Sequence, residues 1–202
     1  MDIKKVDNRF RIDLKKLNKY TDREEIKVVH YTEDGHIEMT NSHVGFRLKN
    51  IHDESEQFKY GKTPKTYPDM NRLFGKYKDN EVIENIPVKE FEDIFSPFKV
   101  EKPDVIHLNF SNVGIFTDVQ GNTSGLRTNL DMSKSYQVTV KYDYLLIVIQ
   151  FMRLLGVKTF DLYYSDTLKP LSFVNENLEI LLAPIRNTSD KVFDRVKKLE
   201  KG

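Results

Sequence analysis

The sequence predicts an α+β fold in which three β-α-β-β-β units lay their helices on one face of antiparallel sheets. Three observations predict it. The same order of strand and helix signals recurs three times, each copy carries one short helical stretch behind an extended run, and the runs that follow alternate apolar and polar residues at the strand period. With 202 residues, 39% of them hydrophobic, the chain can bury a sizeable core and is too apolar to remain disordered.

The first copy runs over residues 9–50. A short strand at 9–12 leads to Asp13, a plausible helix cap, and a helical stretch at 14–20. Strands are predicted at 26–31, 36–40 and 44–48, with Asp34-Gly35 as the hairpin signal between the first two. The second copy begins with a strand at 82–83, has Pro87 near the start of a helix at 88–95, and ends that helix at Pro97. Its strands are expected at 105–110, 113–118 and, more weakly, 124–130. In the third copy a strand at 136–142 precedes Asp143 as a cap and a helix at 144–155 closed by Gly156, and strands follow at 160–164, 171–174 and 178–183. That helix is apolar nearly all round, which predicts burial on more than one face.

The resulting division is a half domain at 1–64, a linker at 65–81, a complete two-unit domain at 82–187 and a charged helical tail at 188–202. The start of the chain is charged and lacks a signal-peptide core, and no stretch has the length of a membrane span, so a cytoplasmic location without membrane contact is expected. The absence of cysteine excludes disulfides and thiol chemistry and fits a reducing compartment. A net charge of +1 means that any nucleic-acid contact must come from a local basic face.

Several motifs are better explained without chemistry. Gly61-Lys62-Thr63 lacks the upstream glycine of a phosphate-binding loop. His30, His36 and His43 sit on neighbouring predicted strands and read as surface, Asp104, Asp118 and Asp131 flank strands where aspartate caps turns, and residues 121–125 read as a flexible loop. No serine or threonine has a convincing His/Asp partner pattern, so nucleophilic catalysis is unsupported, and no ligand spacing on a helix supports a metal.

The third copy carries signals in a recognisable order: a β-branched strand reaching Tyr142, Tyr144-Leu145-Leu146 opening a helix, Leu168-Lys169-Pro170-Leu171, and Leu181-Leu182-Ala183-Pro184-Ile185-Arg186. Tyr67-Pro68-Asp69 with Arg72-Leu73 lies between the first two copies. Together these resemble the DNA sliding clamp family, in particular the bacterial DNA polymerase III beta subunit, across about residues 10–186. The resemblance implies a chain of about one and a half clamp-like domains, a homo-oligomer or an exposed docking edge, and a role as a processivity factor or adaptor in DNA replication that holds a client on duplex DNA, not an enzyme and with no cofactor or small-molecule substrate. It implies non-specific phosphate contacts, for which Arg9, Arg11, Lys15, Lys16, Lys19 and Arg153 are the candidates. Those lysines equally suit a solvated helix face, and Glu90, Glu92 and Asp93 on the second helix oppose phosphate. It further implies an apolar site for a short client peptide at Leu73, Phe74, Leu181, Leu182, Pro184, Ile185 and Arg186, although these apolar residues also suit an ordinary core. The small size and Lys-, Asn- and Ile-rich composition suit a low-GC bacterium or a phage. The acidic second helix suits a second reading, a clamp mimic that binds a host clamp or its loader.

Overall fold

The computed structural model describes residues 26–49, 67–78, 80–100, 102–111, 114–119, 122–127, 136–166 and 168–185, with Asn8 and Arg23. The expected strand at 9–12, the helical stretch at 14–20, Arg186 and the charged tail lie outside the described residues.

Eleven strands and two α-helices are described: β1 (His30–Tyr31), β2 (Ile37–Thr40), β3 (Val44–Leu48), β4 (Glu81–Pro87), α1 (Val88–Ile94), β5 (Val105–Ser111), β6 (Gly114–Val119), β7 (Asn122–Arg127), β8 (Tyr136–Lys141), α2 (Tyr142–Leu154), β9 (Thr159–Tyr164), β10 (Leu171–Asn175) and β11 (Leu178–Leu182). They form a seven-stranded sheet in the order β1-β2-β3-β11-β10-β9-β4 and a four-stranded sheet in the order β7-β6-β5-β8. All pairs are antiparallel. The fold is α+β, with the two described helices laid against antiparallel sheets.

The second and third copies share one topology, strand-helix-three strands, and exchange their first strands. β4 pairs with β9 of the following copy, while β8 pairs back onto β5 of the preceding one. The first copy joins the same assembly through β3, which pairs with β11 over five residues. The seven-stranded sheet therefore joins strands from before and after residues 67–78.

Strand alternation sends every second residue to the helices. Met39, Phe46, Ile180, Phe173, Leu162 and Ile83 stand abreast across six strands on that inner face. Phe46 meets Phe151 of α2 edge-on at 4.9 Å, and Phe91 of α1 meets Phe160 at 5.2 Å and Phe173 at 6.0 Å. Ile106, Leu108, Phe110, Val138 and Val140 from the four-stranded sheet complete the same core. α2 buries eight residues, including Tyr144, Ile147 and Ile149, so its apolar circumference is matched by burial on several sides.

Local departures from expectation have physical causes. Only His30–Tyr31 of the predicted strand at 26–31 pairs; Ile26, whose N–H donates to Arg23 O at 3.4 Å, and Val29 are buried ahead of the ladder. Residues 122–125 belong to β7 and pair with β6, so the predicted flexible loop is largely strand. Asp143 is not the cap. Lys141 occupies the N-cap position without a side-chain cap bond, the Tyr142 N–H donates to Asp104 O at 3.1 Å, and Asp143 sits in the first turn, where its charge favours the helix dipole. Gly156 ends α2 as expected, with φ +72°.

Phe91→Ala is expected to cost about 3–5 kcal/mol, because its ring is fully buried among three other aromatic rings. Urea unfolding followed by far-UV circular dichroism measures it.

Candidate functional site

The outer face of the seven-stranded sheet, away from the helices, is crossed by residues 67–78. The register fixes what this strap covers. One row across the strands reads His30, Glu38, Arg47, Glu179, Val174, Asp161. The next reads Thr40, Gly45, Leu181, Ser172, Tyr163, Val82. The strap touches them in turn: the Tyr67 ring lies 4.4 Å from His30, Asn71 Oδ1 accepts from Arg47 at 2.6 Å, the Gly75 N–H donates to Glu179 Oε1 at 2.6 Å, and Tyr77 lies 4.4 Å from Tyr163.

Met70 and Phe74 hold the middle. A turn of 3-10 helix at Met70–Arg72, capped by Asp69 accepting from the Asn71 N–H, turns both side chains down onto Leu181. Gly45 makes room for them, since a Cβ there would come within 3.1 Å of Met70 Cε and 3.4 Å of Phe74 Cζ. Gly75 is required for a different reason: its φ of +77° aims the backbone N–H at Glu179, a conformation that penalises any side chain. The Arg47 guanidinium stands 4.3 Å from the Phe74 ring centre and donates from Nε to Glu38 Oε1 at 2.7 Å. Glu38, Arg47 and Glu179 are all buried. Burial pushes the Glu179 carboxyl above its ordinary range, although the Gly75 N–H, Lys49 and Arg47 act to lower it.

The candidate client residues divide on this geometry. Phe74 and Leu181 meet beneath the strap, and Leu73 beside Phe74 is 53% exposed. Leu182 points the other way and is fully buried in the main core. Pro184 and Ile185 are half-buried where the chain leaves β11, and the Ile185 N–H donates to Thr139 O on β8 at 2.7 Å, tying the two sheets together. Arg186 lies outside the described residues. Sequence reasoning missed Met70, Gly45, Glu38, Arg47 and Glu179. A glycine and an arginine on one face of β3 were the available signal that something crosses that face.

Of the candidate phosphate contacts, Arg9, Arg11, Lys15, Lys16 and Lys19 lie outside the described residues. Arg153, on the outward side of α2, donates from one nitrogen to both carboxylate oxygens of Glu92 at 3.0 Å. Lys99 also reaches Glu92, at 3.3 Å, and Lys89 pairs with Asp93 at 2.7 Å. Together with exposed Glu90 and Asp143, this makes the outward side of the two described helices acidic on balance. The three histidines do not converge: His30 Nδ1 lies 3.1 Å from Glu38 Oε2, His36 sits near Asp34, and His43 stacks on Tyr144. Among the described residues no group of three potential metal ligands occurs, and no helix is long and apolar enough to cross a membrane.

Arg47→Met is expected to cost about 3–5 kcal/mol in urea unfolding, because it leaves the Glu38 carboxylate buried without its main partner; the double variant with Glu38→Gln should lose clearly less. A carboxyl whose folded-state pKa is raised binds its proton more readily folded than unfolded. Its contribution is therefore unfavourable above the folded pKa and fades as the pH falls toward the ordinary value of 4.5. The unfolding free energy of Glu179→Gln relative to the parent should accordingly fall between pH 7 and pH 4.5.

No protein-family model matches the sequence, and no curated protein matches it. Solved structures do. The beta clamp of Helicobacter pylori bound to a DNA ligase peptide superposes with a TM-score of 0.65 at 12% identity, covering 90% of this chain and 63% of that one. The DNA polymerase sliding clamp of Bacillus subtilis gives 0.64 at 12% identity over 90% and 63% of the two chains. Pol III beta of Caulobacter crescentus gives 0.63 at 13% identity over 88% and 64%. The chain thus spans under two thirds of the length of these clamps. It has the fold of the bacterial DNA sliding clamps.

Proposed function

We propose that the chain is a sliding-clamp-like tether that keeps a polymerase or another DNA-acting client on duplex DNA, as a homo-oligomer and without chemistry of its own. One observation carries the reading beyond the fold: the strap at 67–78 lies across a continuous sheet and builds an apolar cluster from Met70, Phe74 and Leu181, three residues before Pro184. A client peptide docks there against Leu73, Phe74, Leu181, Pro184, Ile185 and Arg186, while Leu182 supports the strand from the core side. The ligase peptide on the Helicobacter pylori clamp supports this kind of partner. Duplex DNA is held by Arg9, Arg11, Lys15, Lys16, Lys19 and Arg153 through phosphate contacts, so retention depends on salt. The setting is the cytoplasm of a low-GC bacterium or its phage, and the half domain at 1–64, the linker at 65–81 and the domain at 82–187 divide the labour.

A second reading rests on a specific observation. The acidic outward side of α1 and α2, with Glu90 and Asp93 exposed and Glu92 occupied by Arg153 and Lys99, favours a clamp mimic that binds another clamp or its loader.

Light scattering and a DNA salt series separate the two. The tether is expected to be an oligomer retained on circular DNA and lost from linear DNA. Changing Lys15, Lys16 and Lys19 to Glu should weaken retention and reduce the log–log salt slope by about 0.9 for each phosphate no longer neutralised. A monomer without salt-sensitive DNA affinity would instead support the mimic.

A further inference from the structure

Among the described residues the strap covers the outer face as far as Tyr77, and the last two strands, β9 and β4, lie beyond it. There Val82 is 39% exposed, paired across the ladder with half-buried Tyr163, whose ring lies 4.4 Å from that of Tyr77 at 48°. Two carboxylates lie side by side at one end of this apolar patch. Asp161 shares the outer face of β9 with Tyr163, and Glu84 is exposed on β4 two residues beyond Val82. Tyr77 and Tyr163 have their hydroxyls raised, first by burial and then by neighbouring carboxylates; Glu179 and Asp161 act on Tyr77, and Asp161 and Glu84 on Tyr163. Lys76 and Lys78 are exposed on either side of Tyr77 in the chain.

The backbone decides how this edge can be met. β4 is the end strand of the seven-stranded sheet, but its register breaks between Ile83 and Ile86, where Asn85 takes φ +57° and donates its N–H to Asp161 Oδ1 at 2.9 Å. Such a bulge spoils the edge for addition of another strand. A partner must therefore dock on the face through side chains. Two tilted phenol rings with carboxylates beside them suit a cation, and a flat guanidinium can stack on a ring while pairing with a carboxylate, which a lysine ammonium does less well.

We propose that Tyr77, Tyr163 and Val82, with Asp161 and Glu84 side by side at one end, form a second docking surface that takes an arginine-bearing apolar segment of a partner protein. The guanidinium lies over the tyrosine pair and reaches the two carboxylates at its end, and an apolar neighbour of the arginine covers Val82. The same carboxylates repel phosphate, so nucleic acid is not the occupant. The surface is separate from the Met70, Phe74 and Leu181 cluster and stands whether or not that cluster binds a client.

The test titrates the full chain, labelled with 13C at the tyrosine rings, with the peptides acetyl-Leu-Arg-Leu-amide and acetyl-Leu-Glu-Leu-amide, following Tyr77 and Tyr163 assigned through Tyr77→Phe and Tyr163→Phe. The arginine peptide is expected to shift both rings saturably and the glutamate peptide to leave them unmoved. Glu84→Gln, at an exposed position that leaves the fold intact, and Asp161→Asn, which keeps an acceptor for the Asn85 N–H, should together weaken the arginine peptide by about fivefold or more. No saturable shift, equal shifts from both peptides, or unchanged affinity in the Glu84→Gln protein and in the double variant would overturn the proposal.

Discussion

Two carboxylates and a guanidinium lie abreast across β2, β3 and β11, almost withdrawn from water, and the strap at 67–78 crosses directly above them. Withdrawing three charges is costly unless each finds a partner of good geometry. Arg47 supplies it, reaching Glu38, Asn71 and the Phe74 ring at once, while Glu179 receives the Gly75 N–H. These contacts set the path of the strap over the sheet. The apolar cluster beneath Phe74 and the open patch beyond Tyr77 both follow from where that path runs. An apolar face on β3 could have held a strap more tightly, but charged partners at fixed register positions specify a single placement.

A second constraint comes from the exchange of first strands between the two complete copies. β4 is of no use to its own sheet and β8 of no use to its own, since each finishes the ladder of the other copy. Both helices then lie over one shared core, where Phe91 of α1 reaches strands of the following copy. Neither copy is a self-sufficient unit. The Ile185 N–H bond to Thr139 adds a further tie between the sheets at the end of β11.

The repeat itself was legible because its signals are local: alternation in residues 36–40, 44–48 and 171–174, Gly156 after an apolar helix, and Pro87 ahead of another. What escaped were features that depend on which strands become neighbours. Nothing local in Val44-Gly45-Phe46-Arg47-Leu48 says that Gly45 will lie under Met70 or that Arg47 will face Glu38 and Glu179, because those partners arrive from distant parts of the chain. Leu181 and Leu182 read alike as sequence, and only the pleat separates the one that meets the strap from the one that fills the core. Ile26 and Val29 have strong strand propensity and are buried without joining the ladder, so propensity alone did not decide pairing there.

The pairing of β3 with β11 also bears on how the protein is made. Residues 44–48 leave the ribosome long before residues 178–182, and until the latter appear the inner edge of β3 offers unpaired N–H and C=O groups beside Phe46 and Leu48. A nascent chain in that condition exposes a sticky strand for most of its synthesis, and its folding is governed by a late, long-range closure. Retaining β3 unaggregated through that interval, whether by slow collapse or by a chaperone, is a demand that the centre of the seven-stranded sheet places on the cell that produces it.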